Sequence, residues 1–211
     1  MSMSVQLKAS LSKGFKGKTF EAIGLLASPI EESLLDLDSV RDEYLFRLQG
    51  SKLLITSFEY KAQTLDENFL HYSHVVPHAV EQWFRKYGKM PEDIIIAAIY
   101  AGSVEPAESS VTIAKRSISM EVHNIYLKNL DGFKIISDTQ EKIDSNVPLD
   151  ADDQIRLIFS PLMAENGKWL DLLDKAHDVA RKIKDPDVQY FVLCCITEFC
   201  FALLKRSILQ A

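Results

Sequence analysis

The feature that most limits the fold is a pair of apolar runs on either side of the dipeptide Gly50-Ser51. Glycine accepts the positive φ that a two-residue hairpin turn requires at its first position. The pattern therefore predicts a β-hairpin with strands at about 42–49 and 52–61. With a two-residue turn Gln49 pairs with Lys52, and each pair further out adds one residue on either side. The hairpin thus predicts which side chains of the two strands share a face.

Counting outwards from that turn places Asp42 opposite Glu59. Opposed residues share a face, as do residues two apart on one strand, so Asp42, Glu59 and Lys61 are predicted to form one patch. Opposed carboxylates repel each other unless a positive charge lies between them. The patch therefore predicts a divalent metal ion held by the two acids beside a lysine.

Composition and charge exclude several other classes of protein. The 211 residues suffice for one well-buried domain with an appendage. The net charge of −6 argues against a general nucleic-acid coat protein, whose affinity comes from neutralising phosphates, but it is compatible with an enzyme that meets DNA through a local basic patch. We expect a cytoplasmic protein, because the sequence shows no secretory signal and its three cysteines have the pattern of reduced core residues. We expect no membrane partner, because the apolar segment 190–204 is shorter than a span of about 20 residues and contains Glu198.

The remaining segments predict an α/β fold with a mixed sheet and an α-helical C-terminal tail. Periodicity, capping residues and apolar runs predict helices at 30–37, 66–87 and 165–184, a last helix opening at Asp185-Pro186, and strands at 93–100 and 118–127. Pro77 is expected to kink the second of these helices, and Gly88 is expected to end it.

These segments also resemble a known family. The run Tyr44-Leu45-Phe46-Arg47-Leu48, a glycine-containing turn, a short apolar strand and Glu59-X-Lys61 resemble the PD-(D/E)XK nuclease superfamily, and more narrowly its transposase-like, recombination-promoting nuclease branch. The resemblance covers residues 20–130 and depends on the order of the segments. It implies a restriction-endonuclease-like mixed sheet flanked by helices, as a nuclease-like domain at 1–150. A helical extension at 151–211 is expected to pack on that domain or on a partner.

The chemistry implied by the resemblance is metal-dependent hydrolysis of DNA phosphodiester bonds by an endodeoxyribonuclease. Asp42 and Glu59 would bind Mg²⁺ or Mn²⁺, and Lys61 would orient the attacking water. In the family the first acid abuts the Tyr-Leu-Phe-like run, which points to Glu43. The two-residue turn instead pairs Glu43 with Phe58 on the opposite face, so Asp42 is the predicted ligand and Glu43 the alternative.

Two details extend or depart from the family pattern. A further acid from a helix often completes such sites, and Glu21, Glu31 or Glu32 is available for this role. Asn68 stands where the family often has an arginine, and many members have glutamine in place of Lys61.

Three other hypotheses compete with an active nuclease. The acidic net charge, the open choice of first acid and the expectation of a sparse basic surface also suit a catalytically inactive relic of the fold that serves as an interaction or assembly module. A weaker hypothesis is an assembly protein that acts through its helical tail and whose hairpin acids are only an exposed ion-pair cluster. The apolar C-terminal helix suits either a homodimer, as in nucleases that cut both strands, or packing within one core. His71, His74 and His78 share a helical spacing that could bind zinc, although Pro77 disturbs that geometry.

Overall fold

The computed structural model describes residues 13–34, 43–59, 65–101, 110–115, 118–164 and 168–209. Its strands are β1 (Ile30–Ser33), β2 (Glu43–Leu48), β3 (Lys52–Glu59), β4 (Asp93–Tyr100), β5 (Ser110–Lys115) and β6 (Ile118–Tyr126). Its α-helices are α1 (Leu65–Tyr87), α2 (Gly132–Asp144), α3 (Ala151–Phe159), α4 (Trp169–Ala180) and α5 (Pro186–Leu209). Short 3₁₀ turns lie at Glu21–Ile23, Leu127–Asn129 and Ser160–Met163. The α/β class predicted from the sequence is confirmed.

The strands form one mixed sheet in the order β1-β2-β3-β4-β6-β5. Strand β2 is antiparallel to both β1 and β3, whereas β3, β4 and β6 run parallel to one another and β5 is antiparallel to β6. Helix α1 makes the crossover between the parallel strands β3 and β4. The carboxyl ends of β3, β4 and β6 therefore lie together at one edge of the sheet.

The hairpin of β2 and β3 has a register one residue away from the predicted one. Leu48 pairs with Lys52, so the loop contains three residues and includes both Gly50 (φ 79°) and Ser51 (φ 56°). As a result Glu43 pairs with Ser57, and its predicted pairing with Phe58 is wrong. Since side chains alternate along a strand, this one-residue shift moves Glu43 to the other face of the sheet.

Helix α1 covers one face of the sheet. Its apolar residues recur every three or four positions. Val75, Ala79 and Trp83 pack with Leu45, Leu53 and Ile55 in one buried cluster on this face. The helix is continuous through the exposed Pro77. It ends where predicted, at Gly88, whose positive φ of 68° suits a helix C-terminus and whose N–H donates to the carbonyl of Phe84.

The opposite face of the sheet packs on the C-terminal helices. Phe58 of β3 stacks on Phe159 of α3, with ring centroids 5.8 Å apart, and contacts Phe199 of α5 at 4.9 Å. Between residues 190 and 200, helix α5 contributes to this core the buried side chains Phe191, Val192, Cys195, Ile196, Phe199 and Cys200. The 191–200 part of α5 therefore packs within the chain, while a homodimer and the domain division at residue 150 stay predictions.

Several secondary-structure predictions need correction. Residues 30–33 form the edge strand β1 rather than the start of a helix, because pairing with β2 joins Ile30 to Leu48 and Ser33 to Phe46. Strand β5 was not predicted, and the segment expected to be helical over 165–184 contains the shorter helix α4. The capping prediction at Asp185 is confirmed, since its carboxylate accepts from the backbone N–H of Asp187 at 2.9 Å. In the described part of the chain, no helix combines the length and the apolarity that a membrane crossing requires.

Candidate functional site

The corrected hairpin register brings two acids onto one face of the sheet. Glu43 begins β2 opposite Ser57, and Glu59 follows Ser57 by two residues at the end of β3, so the three side chains share the face that α1 covers. The Glu43 side chain is 8% exposed, and Glu59 is 4% exposed. The other two predicted site residues, Asp42 and Lys61, lie outside the described residues. The acids of the described hairpin at this site are therefore the predicted Glu59 and the alternative Glu43.

Helix α1 supplies two further polar side chains to this site. Nε2 of His71 lies 3.3 Å from Oε1 of Glu43. The next residue, Tyr72, is fully buried, and its hydroxyl is hydrogen-bonded to the hydroxyl of Ser57 at 2.9 Å. One turn of the helix is thereby joined to both strands of the hairpin, near the acid of each strand.

The environment of Tyr72 keeps its hydroxyl protonated. Burial raises the pKa of this phenol well above its ordinary value, and the hydrogen bond with Ser57 opposes the shift only in part. The negative charges of Glu59 and Glu43 raise the pKa further, and so does the nearby Tyr100. Tyr72 therefore serves this site as a neutral hydrogen-bonding group.

A row of side chains continues from Glu59 across the parallel strands. Glu59 is in register with Tyr100 of β4, which is in register with Tyr126 of β6. The two tyrosine rings are stacked, with centroids 4.9 Å apart and an interplanar angle of 13°. Asn124 lies on the same face, opposite Ala98. Sequence reasoning missed these residues, because they adjoin the acids only through a parallel pairing that was not predicted.

The acids proposed to complete the site from a helix lie elsewhere. Glu31 and Glu32 belong to β1 and adjoin Arg47, which is four residues from Glu43 and hence about 13 Å away along β2. Glu31 pairs with Arg47 at 2.5 Å, and Glu32 accepts hydrogen bonds from Lys86, at 2.8 Å, and from Tyr87. The third candidate, Glu21, belongs to a 3₁₀ turn on the opposite face, where its neighbours Ala22 and Ile23 join the core of the C-terminal helices.

The three histidines of the zinc hypothesis do not converge. His71 faces Glu43, whereas His74 and His78 lie on the exposed face of α1, where Nε2 of His78 is 2.7 Å from the side-chain nitrogen of Gln82. Within the described ranges, no group of three or more His, Cys, Asp or Glu side chains is arranged to hold a metal ion. A metal ion bound by Glu43 and Glu59 would take its other ligands from water or from other groups, as Mg²⁺ commonly does.

The geometry defines an α/β protein with two largely buried carboxylates on one face of a mixed sheet, at the edge where the parallel strands end. Ligand sites of α/β proteins commonly lie outside the carboxyl ends of such strands. Comparison with known proteins adds no assignment, because no protein-family model matches the sequence and no curated protein or solved structure shows significant similarity to it.

Proposed function

We propose that the protein is a metal-dependent endodeoxyribonuclease of the PD-(D/E)XK type, in which Glu43 and Glu59 bind Mg²⁺ or Mn²⁺. The observation that carries the proposal is the register of the hairpin, which aligns both acids on one face at the end of β3. An antiparallel hairpin followed by a helix and a parallel strand also agrees with the restriction-endonuclease-like sheet that the sequence resemblance implies.

The same register supports Glu43 rather than Asp42 as the first ligand. Glu43 shares a face with Ser57 and Glu59, as two ligands of one metal ion must. Lys61 follows Glu59 by two residues, and its proposed role in orienting water depends on that spacing.

The proposed reaction is metal-assisted hydrolysis of a DNA phosphodiester bond. When bound, the metal ion would act as a Lewis acid that polarises the phosphoryl oxygen and makes a bound water molecule easier to deprotonate. Glu43 and Glu59 would hold the ion, and the low dielectric of their buried setting strengthens that attraction. A homodimer would let two such sites cut both strands of a duplex.

The experiment is a Mn²⁺ titration followed by nicking of supercoiled plasmid. Glu43→Gln and Glu59→Gln should lose both saturable binding and nicking, whereas Asp42→Asn should keep both. Glu121→Gln, at an exposed position of β6, is the matched control for loss of one negative charge. Circular dichroism verifies that each variant is folded. Nicking that survives unchanged in Glu59→Gln refutes the proposal.

The second candidate is a catalytically inactive relic of the fold that acts as an interaction or assembly module. The burial of Glu59 favours it, because a substrate phosphate must reach the metal ion and only 4% of this residue is exposed. It predicts that the wild-type protein and Glu59→Gln are both folded, bind no metal ion and leave plasmid intact.

A further inference from the structure

We infer that His71 is a positioning residue that holds the carboxylate of Glu43 in the orientation required for metal binding. The inference rests on the proposed function, because it assigns a role to His71 only if Glu43 binds the metal ion. It concerns a contact between helix α1 and strand β2 that the motif does not contain.

The contact is close and largely shielded from water. Nε2 of His71 lies 3.3 Å from Oε1 of Glu43, and the exposed fractions of the two side chains are 26% and 8%. A carboxylate with so little access to water is costly unless protein groups or an ion stabilise it. The contact with Nε2 of His71 places a polar protein group beside one oxygen of this carboxylate.

The surrounding contacts limit the movement of the imidazole. Tyr72 is hydrogen-bonded to Ser57, which fastens this turn of α1 to β3. The rings of His71 and Tyr72 are in edge contact, with centroids 4.8 Å apart and an interplanar angle of 73°. His71 is therefore fixed relative to both strands that carry the acids.

Partners of this kind around metal ligands fix ligand orientation. Removal of such a partner typically costs about 10- to 100-fold in metal affinity, and a loss of that size is expected here.

The experiment measures Mn²⁺ affinity by the electron paramagnetic resonance signal of the free ion. His71→Ala should raise the Kd about 10- to 100-fold, and His71→Gln, which keeps a donor near the position of Nε2, should restore most of the affinity. His74 lies three residues further along the same helix, at an exposed position. His74→Ala is therefore the control and should bind Mn²⁺ with the affinity of the wild type. Thermal melts verify that all variants are folded.

The outcomes separate this inference from the proposed function. If Mn²⁺ binding depends on Glu59 but is unchanged in His71→Ala, the inference is wrong and the proposed function stands. If His71→Gln binds as weakly as His71→Ala, the donor has no positioning role and the inference is also wrong. If the wild-type protein shows no saturable binding, both fail.

Discussion

The hydrogen bond between Ser57 and Tyr72 allows a quantitative test of how the candidate site is held together. Both residues are fully buried, and their hydroxyl oxygens are 2.9 Å apart. Tyr72→Phe keeps the ring and removes only the hydroxyl, which leaves the Ser57 hydroxyl without this bond. Ser57→Ala likewise leaves the Tyr72 hydroxyl without this bond. Each single change should lower the free energy of unfolding by about 1–3 kcal/mol, the usual cost of a stranded buried polar group.

The double variant should cost less than the two single variants added together. Once both hydroxyls are gone no polar group is left stranded, and removal of both partners of a buried hydrogen bond is often close to neutral. A coupling energy of about 1 kcal/mol or more is therefore expected, within the range measured for residues in direct contact.

Urea unfolding followed by tryptophan fluorescence and circular dichroism measures the four free energies. Ser160→Ala combined with Tyr72→Phe is the control, because Ser160 is also buried but is hydrogen-bonded to the carbonyl of Leu157. That pair should be additive to within about 0.5 kcal/mol. If Ser57 and Tyr72 are equally additive, the hydrogen bond does not hold the helix to the strand and the reasoning is refuted.

Three further predictions concern the rest of the fold. Gly132→Ala would place a Cβ 2.6 Å from the carbonyl oxygen of Ser160, so urea unfolding should show a loss of about 1–3 kcal/mol, and an unchanged midpoint would contradict this packing. Burial alone would raise the pKa of Glu32, but hydrogen bonds from its lysine and tyrosine partners lower it below the ordinary value. The stability contributed by Glu32 is then present above the unfolded pKa of about 4.3 and is lost as the pH falls through the folded pKa. The loss of unfolding free energy in Glu32→Gln should therefore shrink on acidification. A loss that stays constant with pH would be inconsistent with this linkage. Burial raises the pKa of Cys200 to about 12 and that of Cys195 well above its ordinary value. Iodoacetamide should therefore modify both thiols slowly at pH 8 until urea is added. Rapid labelling of these two thiols in the native protein would argue against their burial.

Local patterns predicted the elements whose sequence signals agree with their final environment. The continuous apolar run 93–100 is strand β4, buried along most of its length, and the periodic segment before Gly88 is helix α1. Asp185 begins the last helix as its capping signal indicated. Segment 30–37 failed because its helical spacing of apolar residues is overridden at 30–33 by pairing with β2, which a single segment does not reveal.

The candidate site could be predicted only in part. The sequence indicated a hairpin with Glu59 near its end and marked Glu43 as an alternative first acid, but it did not indicate the contact between Glu43 and His71 or the bond between Ser57 and Tyr72. These contacts join residues distant along the chain, and they exist because α1 lies across β2 and β3 in the folded protein.

The sequence by itself therefore determined that residues near Gly50 form a hairpin and that acids lie at its far end. Only the tertiary structure decided which acid shares a face with Glu59. Strands β2 and β3 are buried on both faces, so an alternation of apolar and polar residues does not distinguish one register from the next. The three-residue loop and the packing of each face on its own helices decide the register. Because side chains alternate with a period of two, a shift of one residue would exchange every side chain of a strand between the two faces.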